Sequence, residues 1–171
     1  MKTIAPAVML AALLAGCGYH VSGHTDLLPT TVKTIAITPF DNKTTRYQLA
    51  RRLPEDISRE FLSRTRYRVV ADPAQADAVL TGAVMNFVAL PTTFDPVSLR
   101  ATGVQVVVTL QLSLRERATG KTLWVRPAAE FRNGYEISLD PQKYFDESGT
   151  AILRLSQDVA RSVVSAILEN F

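Results

Sequence analysis

The sequence predicts an α+β fold: a two-layer sandwich in which a mostly antiparallel sheet of four to five strands carries two helices packed on one face. Three patterns point to it. Val104 to Arg115 alternates apolar and polar residues; Leu49, Leu53, Ile57 and Phe61 recur every four residues; and Ile152, Leu155, Val159, Val163 and Ile167 form a second, longer stripe. Strict alternation marks a half-buried strand, and the four-residue spacing marks an amphipathic helix. One apolar sheet face and two apolar helix stripes have to cover one another to leave water.

In chain order, Val32-Lys33-Thr34-Ile35-Ala36-Ile37-Thr38 is rich in β-branched residues and stops at Pro39, a first strand. Asp41 to Thr45 has turn composition. The first helix follows, and Pro54 either starts it, with Glu55 and Asp56 in its first turn, or kinks it. Tyr67 to Val70 is a short second strand, Ala71 to Gln75 turns the chain, and Ala78 to Val88 is a third strand with Gly82 as a bulge. In the next strand Val104, Val106, Val108, Leu110, Leu112 and Leu114 share one face. Gln105, Thr109, Gln111, Ser113 and Arg115 share the other, with Val107 the exception. Ala118-Thr119-Gly120 turns a hairpin. Leu123, Val125, Ala129, Phe131, Tyr135 and Ile137 then form an apolar face on a strand that Pro127 confines to an edge or a bulge. Asp140-Pro141 opens the C-terminal helix as N-cap and first-turn proline. Between the third and fourth strands, Leu90 to Gly103 reads as a loop that offers a partner contact.

The N-terminus reads differently from the rest. Lys2 precedes an apolar run from Ile4 to Ala15, and Leu14-Ala15-Gly16-Cys17 closes it with small residues before the chain's single cysteine. The run is too short to span a bilayer, which takes about 20 apolar residues, so residues 1–16 read as a cleaved export signal. The tetrapeptide resembles the bacterial lipobox, which makes Cys17 the lipidated first residue of the mature protein; an ordinary signal peptide with a chance cysteine is the alternative. Residues 17–31 then form a tether, and residues 32–171 a single domain. Gly18, rather than an aspartate, after the cysteine points to the outer membrane.

Composition narrows the function. Hydrophobic residues make up 47% and charged ones 20%, which excludes a disordered chain. The formal net charge is +3, too small to point to nucleic acid. Seven of the arginines nevertheless fall between Arg46 and Arg68, and arginine suits phosphate and carboxylate recognition; a solvated helix face is the competing account. The two histidines, His20 and His24, lie in the tether, so the domain holds no imidazole base, and the one thiol is taken by acylation. Glu55 and Asp56 read as a solvated pair on a helix surface, and no glycine loop cradles a phosphate. These features argue against an enzyme, a metal centre and a cofactor.

Several motifs carry a family resemblance: Cys17-Gly18-Tyr19-His20, Leu28-Pro29, Val32 to Thr44, Arg64 to Val70, Ala76 to Gly82 and Thr119 to Trp124. Their order and spacing resemble the LPS-assembly lipoprotein family LptE across essentially the whole mature chain. The stretch from Arg68-Val69-Val70 to Ala76-Asp77-Ala78-Val79-Leu80 is also similar to envelope lipoproteins with a TolB-like domain, which leaves a periplasmic activator or scaffold of a cell-wall synthase as the alternative. The LptE resemblance implies an outer-membrane lipoprotein on the periplasmic side, its anchor in the inner leaflet. It would plug a β-barrel of the LptD type and help assemble lipopolysaccharide. Lipopolysaccharide carries phosphates, so its contacts are expected at arginine and lysine: Arg115, Arg117 and Lys121 around one hairpin tip, and Arg64, Arg66 and Arg68 as a second patch. Ordinary surface solubility explains each patch equally simply.

Overall fold

The computed structural model describes residues 28–136 and the helix of residues 141–169. The signal segment, Cys17, His20, His24, Ile137 and the Asp140 cap fall outside these residues. In chain order the elements are β1 (Thr34–Ile37), β2 (Asp41–Asn42), α1 (Tyr47–Arg64), β3 (Arg68–Val70), a 3-10 turn (Pro73–Gln75), β4 (Ala78–Phe94), β5 (Ala101–Glu116), β6 (Thr122–Glu136) and α2 (Pro141–Glu169).

The fold is α+β, as expected, but the sheet is mixed and six-stranded rather than mostly antiparallel with four or five strands. Its order is β3-β1-β4-β5-β6, with β2 paired to β4. β4, β5 and β6 form an antiparallel meander, whereas β1 runs parallel to both β3 and β4, and β2 runs parallel to β4. The physical reason lies in α1, which fills the connection from β1 to β3. A helical crossover returns the chain to the end where it started, so the strands on either side of it run the same way.

The buried row of β5 (Val104 to Leu114, even positions) matches the alternation of the sequence. It joins Leu49, Leu53, Ile57 and Phe61 of α1 and Leu155, Val159, Val163 and Ile167 of α2 in one hydrophobic core. Leu28 and Val32 also belong to that core, so the chain is already packed just ahead of β1.

Several local expectations are corrected. Asp41-Asn42 pairs with Ala83-Val84 as β2 rather than serving only as a turn. Helix α1 neither starts at Pro54 nor stops there; it runs through it. Asp56 is buried, at 4% exposure, because α2 packs over it, while Glu55 stays exposed. Within Ala78 to Val88 the irregularity of β4 falls at Met85, between the pairs Val84–Leu110 and Asn86–Thr109, not at Gly82. Gly82 instead makes room for the Phe40 ring: a Cβ there would sit 2.6 Å from Phe40 Cζ. Most of Leu90 to Gly103 is strand, the outer part of a long β4–β5 hairpin. Pro127 lies on an edge strand and in a bulge, where Pro127 and Ala128 together stand between the pairs Leu110–Ala129 and Leu112–Arg126. That extra residue reverses the alternation, so Trp124 is buried and Val125 exposed, the opposite of an unbroken stripe.

Candidate functional site

The parallel strands determine where the basic residues collect. β1, β3 and β4 all begin at one end of the sheet, and the β5–β6 turn lies at that same end because Ala78 pairs with Glu116. Lys33 precedes β1, Arg66 leads into β3 and Arg68 opens it, Arg115 and Arg117 flank the end of β5, and Lys121 leads into β6. All six of these residues are exposed. Gly120, at φ +71°, closes the turn in a left-handed conformation that suits glycine.

Lys33, Arg66 and Arg68 line one groove of about 370 Å³ together with Leu28, Pro29, Thr30, Val32 and Tyr67. It combines an apolar floor with a cationic rim. Arg64, grouped with Arg66 and Arg68 in the sequence, does not line this groove. Its Nη1 donates to Ser165 Oγ at 2.8 Å and to Glu60 Oε1 at 3.3 Å, which ties α1 to α2. In the other patch, Arg115 lies opposite Val79, where its side chain is exposed. Arg117 turns back: its Nε donates to the Ala76 carbonyl at 2.7 Å, and its backbone N–H to the Asp77 carbonyl at 2.8 Å. Lys121 is held by its backbone, which accepts from Glu116 N and donates to Thr119 Oγ1.

The carboxylates at this end are engaged with neighbouring donors. Asp77 accepts from the backbone N–H groups of Lys33 and Thr34, both at 2.9 Å, and from Thr34 Oγ1 at 2.8 Å. The Lys33 amide above all, then the two Thr34 donors, hold its carboxyl below the usual aspartate range, with a smaller contribution from the Arg117 charge. Glu116 accepts from Thr31 Oγ1 and Thr119 Oγ1, and Asp72 caps the 3-10 turn through Ala74 N. The acids thus fix the loops while the guanidinium and ammonium groups of Arg66, Arg68, Arg115, Lys33 and Lys121 stay in solvent, a surface suited to phosphate. Lys33 was not legible as part of this site, because it sits alone in a strand-like stretch and meets Arg66 and Arg68 only through the parallel β1–β3 pairing.

The far end of the β4–β5 hairpin is apolar. Phe94, Val97 and Leu99 are exposed, at 58%, 91% and 76%, around a turn that Asp95 holds by accepting from Ser98 N and Ser98 Oγ. Among the described residues no cluster of His, Cys, Asp and Glu is arranged to hold a metal ion, and no helix is long and apolar enough to cross a membrane.

The model of the LptE lipopolysaccharide-assembly family matches residues 32–167. No curated protein matches the chain. Among solved structures the fold is similar to a protein from Caulobacter crescentus (12% identity, TM-score 0.54, covering 79% of this chain and 88% of that one). It is also similar to the PelC dodecamer subunit from Paraburkholderia phytofirmans (15% identity, TM-score 0.52, 82% and 91%) and to a protein from Chlamydia trachomatis (13% identity, TM-score 0.51, 81% and 99%). At these identities the likeness concerns the fold.

Proposed function

The chain belongs to the LptE lipopolysaccharide-assembly family, and from that premise we propose that it is an outer-membrane lipoprotein, anchored through Cys17 on the periplasmic side, that seats in a β-barrel of the LptD type and supports delivery of lipopolysaccharide to the outer leaflet. Its role in this reading is to bind and to scaffold, with no catalytic step. The observation that carries it is the polarity of the fold: the end at which the described chain begins, at Leu28, is also the end that exposes Lys33, Arg66, Arg68, Arg115 and Lys121. Ten residues lie between Cys17 and Leu28, and the span reaches at most about 40 Å, so the cations stay near the leaflet that holds the anchor. Phosphates of lipopolysaccharide are the ligands that such a surface takes. The polar side of β5, with Gln105, Thr109 and Gln111, suits contact with a barrel lumen, which is itself polar; the Ser113 hydroxyl on that side is buried.

The test is extraction of the full-length lipoprotein from its native envelope in mild detergent, with mass spectrometry of what accompanies it. A large β-barrel recovered at near one-to-one is the expected result. Recovery of a peptidoglycan synthase, or of no barrel, would overturn the reading.

A further inference from the structure

The cations at the entry end of β1 fall into two groups, and the strand registers set the distance between them. Arg68 of β3 pairs with Thr34 of β1. The Thr34 carbonyl accepts from Asp77 N at 3.0 Å, and the Asp77 carbonyl accepts from Arg117 N at 2.8 Å. One line across the sheet therefore runs Arg68, Thr34, Asp77, Arg117, and its ends are three strand spacings apart, about 14 Å. Ile35, Val69, Ala78 and Leu114 belong to or pack against the core under the helices. By alternation Thr34, Arg68, Asp77 and Arg115 face the other side of the sheet. Arg66 stands beside Arg68 at one end of the line, and Arg115, opposite Val79, stands beside Arg117 at the other.

The middle of that line is negative. The Asp77 carboxylate lies between the two groups, held by Lys33 N, Thr34 N and Thr34 Oγ1. Neither group is neutralised, because the arginines in ion pairs among the described residues are Arg59, Arg64, Arg132 and Arg161. A single anion centred on this surface would face the Asp77 carboxylate, whereas an anion to either side of it meets arginine first. The spacing is also fixed. Asp77 fastens β4 to β1, and Arg117 fastens β5 to β4 through its own N–H and through Nε to the Ala76 carbonyl. A ligand of matching spacing thus loses little in ordering the protein.

We propose that the two groups form one two-point receptor for an amphiphile with two phosphates roughly 14 Å apart. One phosphate meets Arg66 and Arg68, and the other meets Arg115 and Lys121. Arg117 and Asp77 are positioning residues that hold the two halves at their distance. The inference rests on the phosphate-binding reading above and carries it from a cationic surface to a defined spacing. Once the first phosphate is seated, the second is presented at high effective concentration, so two bind more tightly than one.

The test compares bisphosphorylated lipid A with its monophosphoryl form, each titrated into the full-length lipoprotein in detergent. The proteins are the wild type, Arg66→Ala with Arg68→Ala, Arg115→Ala with Lys121→Ala, and the variant with all four substitutions. The last measures lipid that only shares the micelle, and its signal is subtracted. All four residues are exposed, and thermal melts verify that each variant is folded. The wild type is expected to prefer the bisphosphate by about tenfold or more. Each paired variant should prefer it by no more than about twofold, the statistical advantage of carrying two phosphates for one remaining group. Equal binding of both lipids by the wild type, above the fourfold variant, would overturn the two-point receptor and leave the phosphate reading standing. Binding no stronger than in the fourfold variant would overturn both. A wild-type preference that persists undiminished in the paired variants would overturn the receptor as well.

Discussion

Asp77 holds the entrance to β1 by accepting the Lys33 and Thr34 amides and the Thr34 hydroxyl. Because these donors favour the carboxylate, its folded pKa lies below its unfolded one. The stability it contributes is therefore fully present above the unfolded value of about 4 and is lost as pH falls through the folded value. Asp77→Asn should reduce stability by about 1–2 kcal/mol at neutral pH and flatten the acid limb of a denaturation-against-pH profile; an unchanged limb would remove Asp77 as its source. Gly82 is a second single-residue constraint. Gly82→Ala pushes a methyl into the Phe40 ring and should cost about 1–3 kcal/mol in urea denaturation, and less in a Phe40→Ala background, since the clash is then gone. Neither role was legible in the sequence. Glycine within a strand reads as a bulge by default, and the contact that explains it joins residues more than forty positions apart. Trp124 was missed for a related reason: one bulge at Pro127 reverses which side chains point inward, and alternation alone cannot place it.

At the scale of elements, α1 and α2 meet across a buried polar contact. Ser156 Oγ donates to Asp56 Oδ2 at 2.5 Å, and Arg59 pairs with the same carboxylate from the more exposed side. Asn133 Nδ2 donates to Asp158, which links β6 to α2. The buried pair fixes how the helices are set along one another, since an apolar seam could slide by a turn and still be apolar. Asp56→Ala should cost about 2–3 kcal/mol because it leaves the fully buried Ser156 hydroxyl without its acceptor, with Ser156→Ala costing less; thermal melts of the two variants and their double would measure the coupling. The apolar stripes of both helices were legible because their four-residue period is set by the core they face. Asp56 was not, because its burial is imposed by the second helix and not by its own neighbours. Pro54 was legible as an irregularity, but packing of Leu49, Leu53 and Ile57 against the core carries the helix through it.

For the molecule as a whole, the meander β4–β5–β6 was readable from alternation and one hairpin turn, whereas the parallel half of the sheet was not. β1, β2 and β3 are two to four residues long, too short for their pattern to declare a direction. The same gap separated the two basic patches in the sequence and hid Lys33 from both. The lipopolysaccharide reading is tested at this scale. Replacing Lys33, Arg66 and Arg68 with Ala should weaken lipopolysaccharide retention by about tenfold or more, since charge-assisted bonds of about 1.5–3 kcal/mol are lost, with the melting temperature nearly unchanged. Replacing Arg115, Arg117 and Lys121 should weaken it as well, with some loss of stability because Arg117 also bonds the Ala76 carbonyl; undiminished retention in both triple variants would sink the phosphate assignment. The place of β1 has a mechanical consequence. It enters the sheet between β3 and β4, bonded on both sides, and is the strand nearest Cys17 in the chain. A pull transmitted from an anchor there runs along β1 and loads both of its ladders in shear, all bonds at once, where a pull on an edge strand would peel them one after another. On the anchoring proposed above, tension from a moving membrane would thus reach a strand held on both sides rather than an edge.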